Sequence, residues 1–321
     1  MKDKTPKELQ LREYSSLINE EEGKKQPENA KSDLQPRIEL RTEEQQYYQE
    51  GQKKRRTLSF LGKRISKVSS EDQYPHYYIY SVPGLGKTHT IKESLESSNK
   101  PHFVISGSIS PWAFGTQLAF INHNVPKGQE VVIVVDDCDG IFQDNQSINT
   151  MKNILEGYKN YHYQKDVSKN LGHLPPDLRT SVEAHMSPGQ IGFKVPTGRM
   201  VFIFTSNEKL PTDDEVNSIK NKGTKNYQRK MHLNAIRSRC QVKDFDLSPL
   251  VQWGWVADVI LNEDCGVSDI PNDVLRELLR FTYRNWSDLK TKSIRTFQMM
   301  LNEYRQFPSE YAEVWEMEYL K

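Results

Sequence analysis

Short apolar runs recur along the middle of the chain and alternate with segments whose apolar residues follow a helical spacing. The runs cover residues 77–80, 102–106, 130–135, 200–205 and 241–245. The run at 130–135 is apolar at almost every position, which is typical of a strand buried on both faces of a parallel sheet. Strands that alternate with helices predict an α/β domain with a parallel sheet.

The strand pattern stops after residue 247, where helical spacing takes over. Segments 249–262, 271–282 and 286–305 are predicted to be helices. In the last segment, apolar residues from Trp286 to Tyr304 fall near one face, as expected of a helix packed against others. The pattern therefore predicts a small all-helical domain after the α/β domain.

Polar residues are concentrated at the front of the chain. Residues 1–56 contain 13 basic and 12 acidic residues but only 12 apolar ones. Such a segment buries too little apolar surface to offset its chain entropy, so we predict a disordered or loosely helical extension over residues 1–66. Residues 40–50 could form a docked helix within it. The basic run 53–56 is open to three interpretations: a nucleic-acid contact, a localisation signal or a solvated charge run.

Composition excludes several classes of protein. The formal net charge of +1 in 321 residues argues against a uniformly basic nucleic-acid coat. No 18-residue apolar run is present, so we expect no membrane partner. Cys138, Cys240 and Cys265 form no CxxC pair, which argues against a disulfide framework or a zinc site. With no secretory signal visible in the first ten residues, a cytoplasmic location is expected.

The strongest motif is SVPGLGKT at residues 81–88, between a predicted strand and a predicted helix. Gly84 and Gly86 allow backbone N–H groups to turn inward around phosphate oxygens. Lys87 would reach the β- and γ-phosphates of ATP, and the Thr88 hydroxyl would bind Mg²⁺. The full P-loop pattern begins with Gly, whereas this chain has Ser81. The candidate nucleotide-binding residues are Pro83, Gly84, Leu85, Gly86, Lys87, Thr88 and His89.

Two carboxylates follow the buried strand at 131–135. We predict that Asp136 holds Mg²⁺, directly or through water, as a Walker B aspartate does. Asp137 stands where many ATPases have a glutamate that orients the attacking water. Because Asp is one methylene shorter than Glu, hydrolysis could be slow or need a bridging water.

With these two motifs the chain resembles the AAA+ class of P-loop ATPases, from about residue 77 to residue 304. Residues 202–207, FIFTSN, resemble the sensor 1 strand, which implies that Asn207 binds the attacking water or the γ-phosphate. Arg295, within the segment SIRT, is similar to a sensor 2 arginine that faces the nucleotide. The resemblance implies a three-layer αβα P-loop NTPase domain over 67–247, a helical lid domain over 248–306 and a tail helix over 307–321.

Residues 235–240, AIRSRC, are similar to the arginine-finger segment of clamp-loader subunits. The resemblance implies that Arg239, with Arg237 as second choice, reaches the γ-phosphate held by a neighbouring subunit. It therefore implies a homo-oligomeric ring or partial ring, with six subunits as one option.

The chain also resembles viral superfamily 3 helicases, in which a basic hairpin between Walker B and sensor 1 contacts DNA. Residues 192–194 and 198–199 could form such a hairpin, with Lys194 as the DNA contact; an ordinary surface insertion is the other interpretation. A second basic region, residues 216–243, contains eight Lys or Arg and no Asp or Glu. Its candidate nucleic-acid contacts are Lys222, Lys225, Arg229 and Lys230. A solvated helix face is the alternative.

These observations lead to three functional hypotheses. The first is a Mg²⁺-dependent AAA+ ATPase that acts on nucleic acid or on a replication complex, of phage or viral origin. The second is a protein-remodelling AAA+ machine in which Phe193 is a pore-loop aromatic. The third is a scaffold that binds ATP and hydrolyses it weakly, motivated by Asp137.

Overall fold

A computed structural model describes residues 38–321, apart from residues 108, 138, 143–144, 157–158, 263–264 and 266. Most of the charged extension, up to residue 37, therefore lies outside the described residues, as does Cys138. The strands of the described chain are β1 (Tyr77–Ser81), β2 (His102–Ser106), β3 (Val131–Asp136), β4 (Asn160–Tyr163), β5 (Phe193–Pro196), β6 (Met200–Ser206) and β7 (Gln241–Phe245).

The helices fall between and after these strands. They are α1 (Thr42–Ile65), α2 (Lys87–Glu96), α3 (Pro111–Asn124), α4 (Asn145–Leu155), α5 (Ser168–Leu171), α6 (Pro176–Glu183), α7 (Asp213–Asn217), α8 (Lys225–Arg237), α9 (Pro249–Asn262), α10 (Asn272–Arg284), α11 (Ile294–Gln306) and α12 (Tyr311–Tyr319). The main sheet has the order β2-β3-β6-β1-β7, and all its neighbouring strands run parallel. The predicted α/β class, followed by helices, is confirmed.

Each face of the main sheet builds its own apolar core because successive strand residues point to opposite sides. Val132 and Val134 of β3 belong to the core that also contains α1, α2 and the C-terminal helices. Ile133 and Val135 belong to the core on the other face, which contains α3, α4 and α8. The sheet is therefore the middle of three layers. The helical region has no separate core, because Trp255 of α9 packs in the same cluster as Leu85 of the phosphate loop.

Helix α1 differs from the loosely helical segment predicted for this part of the extension. It runs for 24 residues and buries Leu58, Leu61 and Ile65 in the core shared with α2 and α9. The docked helix predicted from the sequence covered only residues 40–50, because the low apolar fraction of the segment gave no indication of a buried side further along. The buried side of α1 is a narrow stripe, and its other faces are polar.

Helices α1 and α9 cross at close range because each has a glycine at the crossing. A Cβ atom at Gly254 would lie 2.0 Å from the carbonyl oxygen of Tyr47. One at Gly51 would lie 2.1 Å from the backbone nitrogen of Trp255. No side chain fits at either position without the helices moving apart.

A buried carboxylate, that of Asp258 in α9, also joins the two helices. Its oxygens accept hydrogen bonds from the side chains of Tyr48 at 3.0 Å, Gln52 at 2.9 Å and Arg55 at 2.6 Å, and from Asn262 at 2.8 Å. Burial, followed by the charge of Asp258, raises the pKa of Tyr48 to about 12, so this phenol remains a donor. The crossing therefore satisfies a charge that would otherwise be buried without a partner.

Between β3 and β6 the chain forms a small accessory unit. Strands β4 and β5 pair antiparallel, and Tyr161 and Phe193 pack with Phe114 and Trp112 of α3. Phe193 is only 2% exposed, so the hypothesis that it is a pore-loop aromatic is wrong for this structure.

Arg199 is also not a surface hairpin cation. Its guanidinium donates to the carbonyl oxygens of Asn122 at 2.7 Å and Val125 at 3.0 Å, so it caps the end of α3. Among the helices of the described residues, none combines the length and apolar character needed to cross a bilayer.

Candidate active site

The phosphate loop joins β1 to α2 at the carboxyl edge of the sheet. Gly84 and Gly86 have φ angles of 79° and 76°, the left-handed region that favours glycine. A Cβ atom at Gly84 would lie 2.3 Å from the Cβ atom of Ser293, so the loop also needs glycine for its contact with the helical region. The carbonyl of Gly84 accepts a hydrogen bond of 3.2 Å from the N–H of Ile294, the first residue of α11.

Lys87 is buried beneath this loop and is held by oxygen atoms. Its Nζ donates to the carbonyls of Ser81 at 2.9 Å and Val82 at 3.3 Å, and to Oδ1 of Asn207 at 3.0 Å. Ser81, which departs from the P-loop pattern, serves through its carbonyl group, and its hydroxyl donates to the carbonyl of Val82 at 2.9 Å. The substitution of glycine by serine is therefore compatible with the loop.

Asp136 lies at the end of β3, beside the first turn of α2. Thr88 and Thr205 both donate hydroxyl hydrogen bonds to its Oδ1, the second at 2.5 Å. Thr205 was not identified from the sequence. The available signal was its place two residues before Asn207 at the end of a buried strand. The threonine hydroxyl of α2 and the carboxylate of β3 are thus brought together, as the two motifs predicted.

Strand order explains why Asn207 reaches both motifs. Strand β6 lies between β1 and β3, so the residues after it emerge between the phosphate loop and Asp136. The amide nitrogen of Asn207 donates to Oδ1 of Asp137 at 3.0 Å, while its oxygen accepts from Lys87. Asp137 is exposed and has a φ angle of 48°, which turns the chain sharply at the end of β3.

The donor set fits a hydrated magnesium ion that shares its coordination with a nucleotide. Thr88 and Asp136 offer hard oxygen ligands, which Mg²⁺ prefers. Within the described residues, no group of three or more His, Cys, Asp or Glu side chains could hold a metal by itself. A site with one carboxylate suits Mg²⁺, which is usually bound through one or two carboxylates together with substrate phosphates.

The remaining predicted loop residues divide by burial. Leu85 is 2% exposed, and its carbonyl accepts a hydrogen bond of 3.1 Å from the indole of Trp255. Pro83 and His89 are exposed on the loop and on the first turn of α2. Arg295 is exposed on the first turn of α11, directly after the residue that binds the loop carbonyl.

The two candidate arginine fingers lie at the end of α8. Arg239 forms an ion pair with Glu156 and donates to the carbonyl of Ala235 at 2.5 Å. Its guanidinium also lies near Lys152, whose pKa is lowered by burial and then by this charge. Arg237 donates to the carbonyl of Leu210 at 3.3 Å. The hydrogen bonds of these arginines are thus with residues other than the phosphate loop, Asp136 and Asn207.

The second basic region is less positive in three dimensions than in sequence. Arg229 donates to both carboxylate oxygens of Glu208, at 2.6 and 2.8 Å. Lys222 and Lys225 are exposed, whereas Lys230 is half-buried. Residues 216–243 include no Asp or Glu, but the fold places Glu208, from outside this range, against Arg229. Lys194 lies apart from this region, exposed on β5 opposite His162.

Comparison with known proteins adds little to this geometry. No protein-family model matches the sequence, and no curated protein matches it. Among solved structures, the crystal structure of Cdc6p from Pyrobaculum aerophilum is similar, with a TM-score of 0.39 and 12% sequence identity. The match covers 87% of this chain and 65% of that protein, so the chain spans less than two thirds of its length. A similarity of this size identifies no activity, and the function must be argued from the site.

Proposed function

We propose that this protein binds ATP with Mg²⁺ and hydrolyses it. The observation that carries the proposal is the convergence at one sheet edge of Lys87, the Thr88–Asp136 pair and the Asn207–Asp137 pair. A lysine, a hydroxyl–carboxylate pair and a polar pair between them are the groups that phosphoryl transfer to water requires.

Nucleotide binding would use groups that are already aligned. The backbone N–H groups after Gly84 and the start of α2 would surround the β-phosphate. Lys87 would exchange the carbonyls of Ser81 and Val82 for phosphate oxygens, keeping its buried charge compensated. Thr88 and Asp136 would hold Mg²⁺, which when bound neutralises charge on the phosphates.

The attacking water would lie beside Asp137 and Asn207. Asn207 binds both Lys87 and Asp137, so its amide is fixed at both ends. An amide fixed in this way can orient a water, and the carboxylate of Asp137 can accept its proton. Asp137 is short for this task, and its bond to Asn207 competes with the water. This observation favours the second candidate function, a nucleotide-dependent scaffold that hydrolyses ATP slowly.

The AAA+ resemblance extends the proposal to an oligomer. Arg239, or Arg237, would act on a neighbouring subunit's nucleotide, while Arg295 would act on its own. Arg239 would first have to leave Glu156, so assembly would be coupled to breaking that ion pair. We propose nucleic acid or a replication complex as the client of this oligomer. The competing hypothesis of a protein-remodelling pore has no exposed aromatic at Phe193, which is buried.

Phosphate release, measured against protein concentration, tests the proposal. Lys87→Ala should reduce turnover by at least about 100-fold, as expected when a charge that stabilises the transition state is removed. Arg239→Ala should abolish the dependence on protein concentration, while the control Arg284→Ala, an exposed arginine on α10, should leave it intact. Turnover that survives Lys87→Ala would contradict the proposed site.

Asp137→Glu distinguishes the two candidate functions. If the wild-type protein binds ATP without detectable phosphate release, and the longer carboxylate raises release, the scaffold function is supported. If the wild-type protein turns over ATP and Asp137→Asn removes that activity, the ATPase function is supported.

A further inference from the structure

Helix α1 carries a row of exposed cations on its outer side. Between residues 51 and 70 the chain has seven Lys or Arg and no Asp or Glu. Only Arg55 of these turns inward, to Asp258. We call the six exposed cations, together with one exposed aromatic residue, the α1 basic face; the last cation lies two residues after the end of α1. The face consists of Lys53, Lys54, Arg56, Phe60, Lys63, Arg64 and Lys67.

The α1 basic face is held in place from behind. Leu58, Leu61 and Ile65 are between 0% and 5% exposed and pack in the core. The cations are therefore displayed on a fixed scaffold and recur with each helical turn. The same packing disfavours an acidic membrane as the partner, because the apolar side of α1 is not available to enter a bilayer.

An exposed aromatic stands in the middle of these cations. Phe60 is 70% exposed, with Arg56 one turn before it and Lys63 and Arg64 one turn after it. Positions three and four apart lie on the same side of a helix, so the ring and the charges share one surface. Cations that bind phosphates, together with an aromatic that can stack on a base, are typical of single-stranded nucleic-acid sites.

The face continues into a groove at its C-terminal end. Arg64 and Lys67 line a cavity of about 570 Å³ together with Tyr74, Tyr77 and Gln241. Tyr74 is 50% exposed and offers a second ring for stacking. The groove also contains one acid, Asp72, so its cations outnumber its acids.

We propose that the α1 basic face binds the sugar-phosphate backbone of single-stranded nucleic acid and that Phe60 stacks on an unpaired base. The inference rests on the proposed function only for the role of this surface, because nucleic-acid binding to the α1 basic face does not itself require ATP. It names the surface by which the client is held, and that surface is distinct from the phosphate loop.

Binding of a labelled single-stranded oligonucleotide, measured by fluorescence anisotropy over a range of salt concentrations, tests the proposal on the full chain. The triple change Lys53→Glu, Lys63→Glu and Lys67→Glu should weaken binding about 100-fold and lower the salt slope by about two, for three lost phosphate contacts. The matched control is Lys127→Glu, Lys165→Glu and Lys290→Glu, which changes net charge equally at three exposed lysines outside both basic regions. The control should change binding by less than about threefold, because it removes no backbone contact.

The stacking contact has its own test. Phe60→Ala should weaken binding to single strands about tenfold and leave binding to duplex DNA unchanged. Phe307→Ala, another exposed phenylalanine, is the matched control and should have no effect. DNA and RNA oligonucleotides of the same length would show which sugar is preferred.

Several outcomes would overturn the proposal. Equal losses in the two triple variants would indicate a general effect of charge, and no loss in the α1 variant would exclude the face. Loss of binding only to phosphatidylserine vesicles would assign it to membranes instead. Lys87→Ala should retain nucleic-acid binding, so a protein that binds oligonucleotides but never hydrolyses ATP would contradict the proposed function and leave this inference standing.

Discussion

Two aspartates hold helices in this molecule, and their surroundings differ. Asp258, 2% exposed, accepts hydrogen bonds from Arg55 and from two polar side chains across the α1–α9 crossing, and from Asn262 of its own helix. Asp136 is partly exposed at the sheet edge, where it receives the hydroxyls of Thr88 and Thr205. Breaking a buried ion pair by removing one partner is costly, whereas hydroxyls at an open edge can rotate towards a ligand. Under the proposed function, the first aspartate holds structure and the second exchanges its hydroxyl partners for a ligand.

The largest expected effect is at the structural aspartate. Asp258→Ala should lower the free energy of unfolding by about 4 kcal/mol, because Arg55 and several polar groups lose their acceptor. Denaturant unfolding measures the loss. Asp269→Ala, which removes an exposed ion pair with Arg305, should cost far less, because solvent screens exposed charges. Equal losses in the two variants would break the comparison.

The glycine crossing should come next. Gly254→Val places a side chain against the backbone of Tyr47, where no rotamer relieves the contact, and should cost about 3 kcal/mol. Gly172→Ala is the control, since a Cβ atom there meets nothing within 4 Å. A cooperative melt at the wild-type temperature for Gly254→Val would show that the crossing is looser than described.

A third buried group, His76, should make the stability of the protein depend on pH. Burial lowers the pKa of His76 to about 4, and its Nδ1 accepts a hydrogen bond of 3.1 Å from the N–H of Phe202. Since the folded pKa lies below the ordinary value of 6.5, this stability is complete above pH 6.5 and is lost as the pH falls towards 4. The loss between pH 7 and pH 4.5 should be about 2 kcal/mol. His76→Phe should flatten this part of the stability profile.

The smallest effect is expected at the exchangeable aspartate. Thr205→Val removes one hydroxyl from Asp136 and should raise the Mg²⁺ concentration for half-maximal turnover about tenfold, as expected for a group that orients a metal ligand. Its cost in stability should be near 1 kcal/mol. Thr116→Val, at another buried threonine, controls for lost hydroxyls and should leave the Mg²⁺ dependence unchanged. An unchanged Mg²⁺ dependence in Thr205→Val would remove the positioning role.

The sheet and the edge that carries the site were predictable because their signals are local. A buried apolar strand ends in Asp136, and a glycine-rich turn precedes Lys87, so position along the chain almost fixes position in space. Thr205 was missed because its hydroxyl gains meaning only when β6 lies beside β3. The positive charge of the region 216–243 was overestimated because the fold places Glu208 beside Arg229.

The extent of helix α1 was predicted incorrectly for a related reason. Its sequence is highly charged, and its docking depends on the pairs Gly51–Gly254 and Arg55–Asp258. The two members of each pair lie about 200 residues apart along the chain. No window along the chain contains both partners. Arg199 was likewise placed in a possible surface hairpin, although the carbonyl groups that it binds lie some 70 residues earlier in the chain.

The α1–α9 crossing also bears on how the protein can be divided. The domain bounds implied by the resemblance place the start of the α/β domain at residue 67, and a fragment that begins there would lose α1. That fragment would expose the side of α9 that meets Tyr47 and would leave Asp258 without Arg55. We expect it to aggregate, whereas a fragment that begins at residue 38 keeps the crossing. Expression trials of the two fragments would thus locate the minimal folding unit.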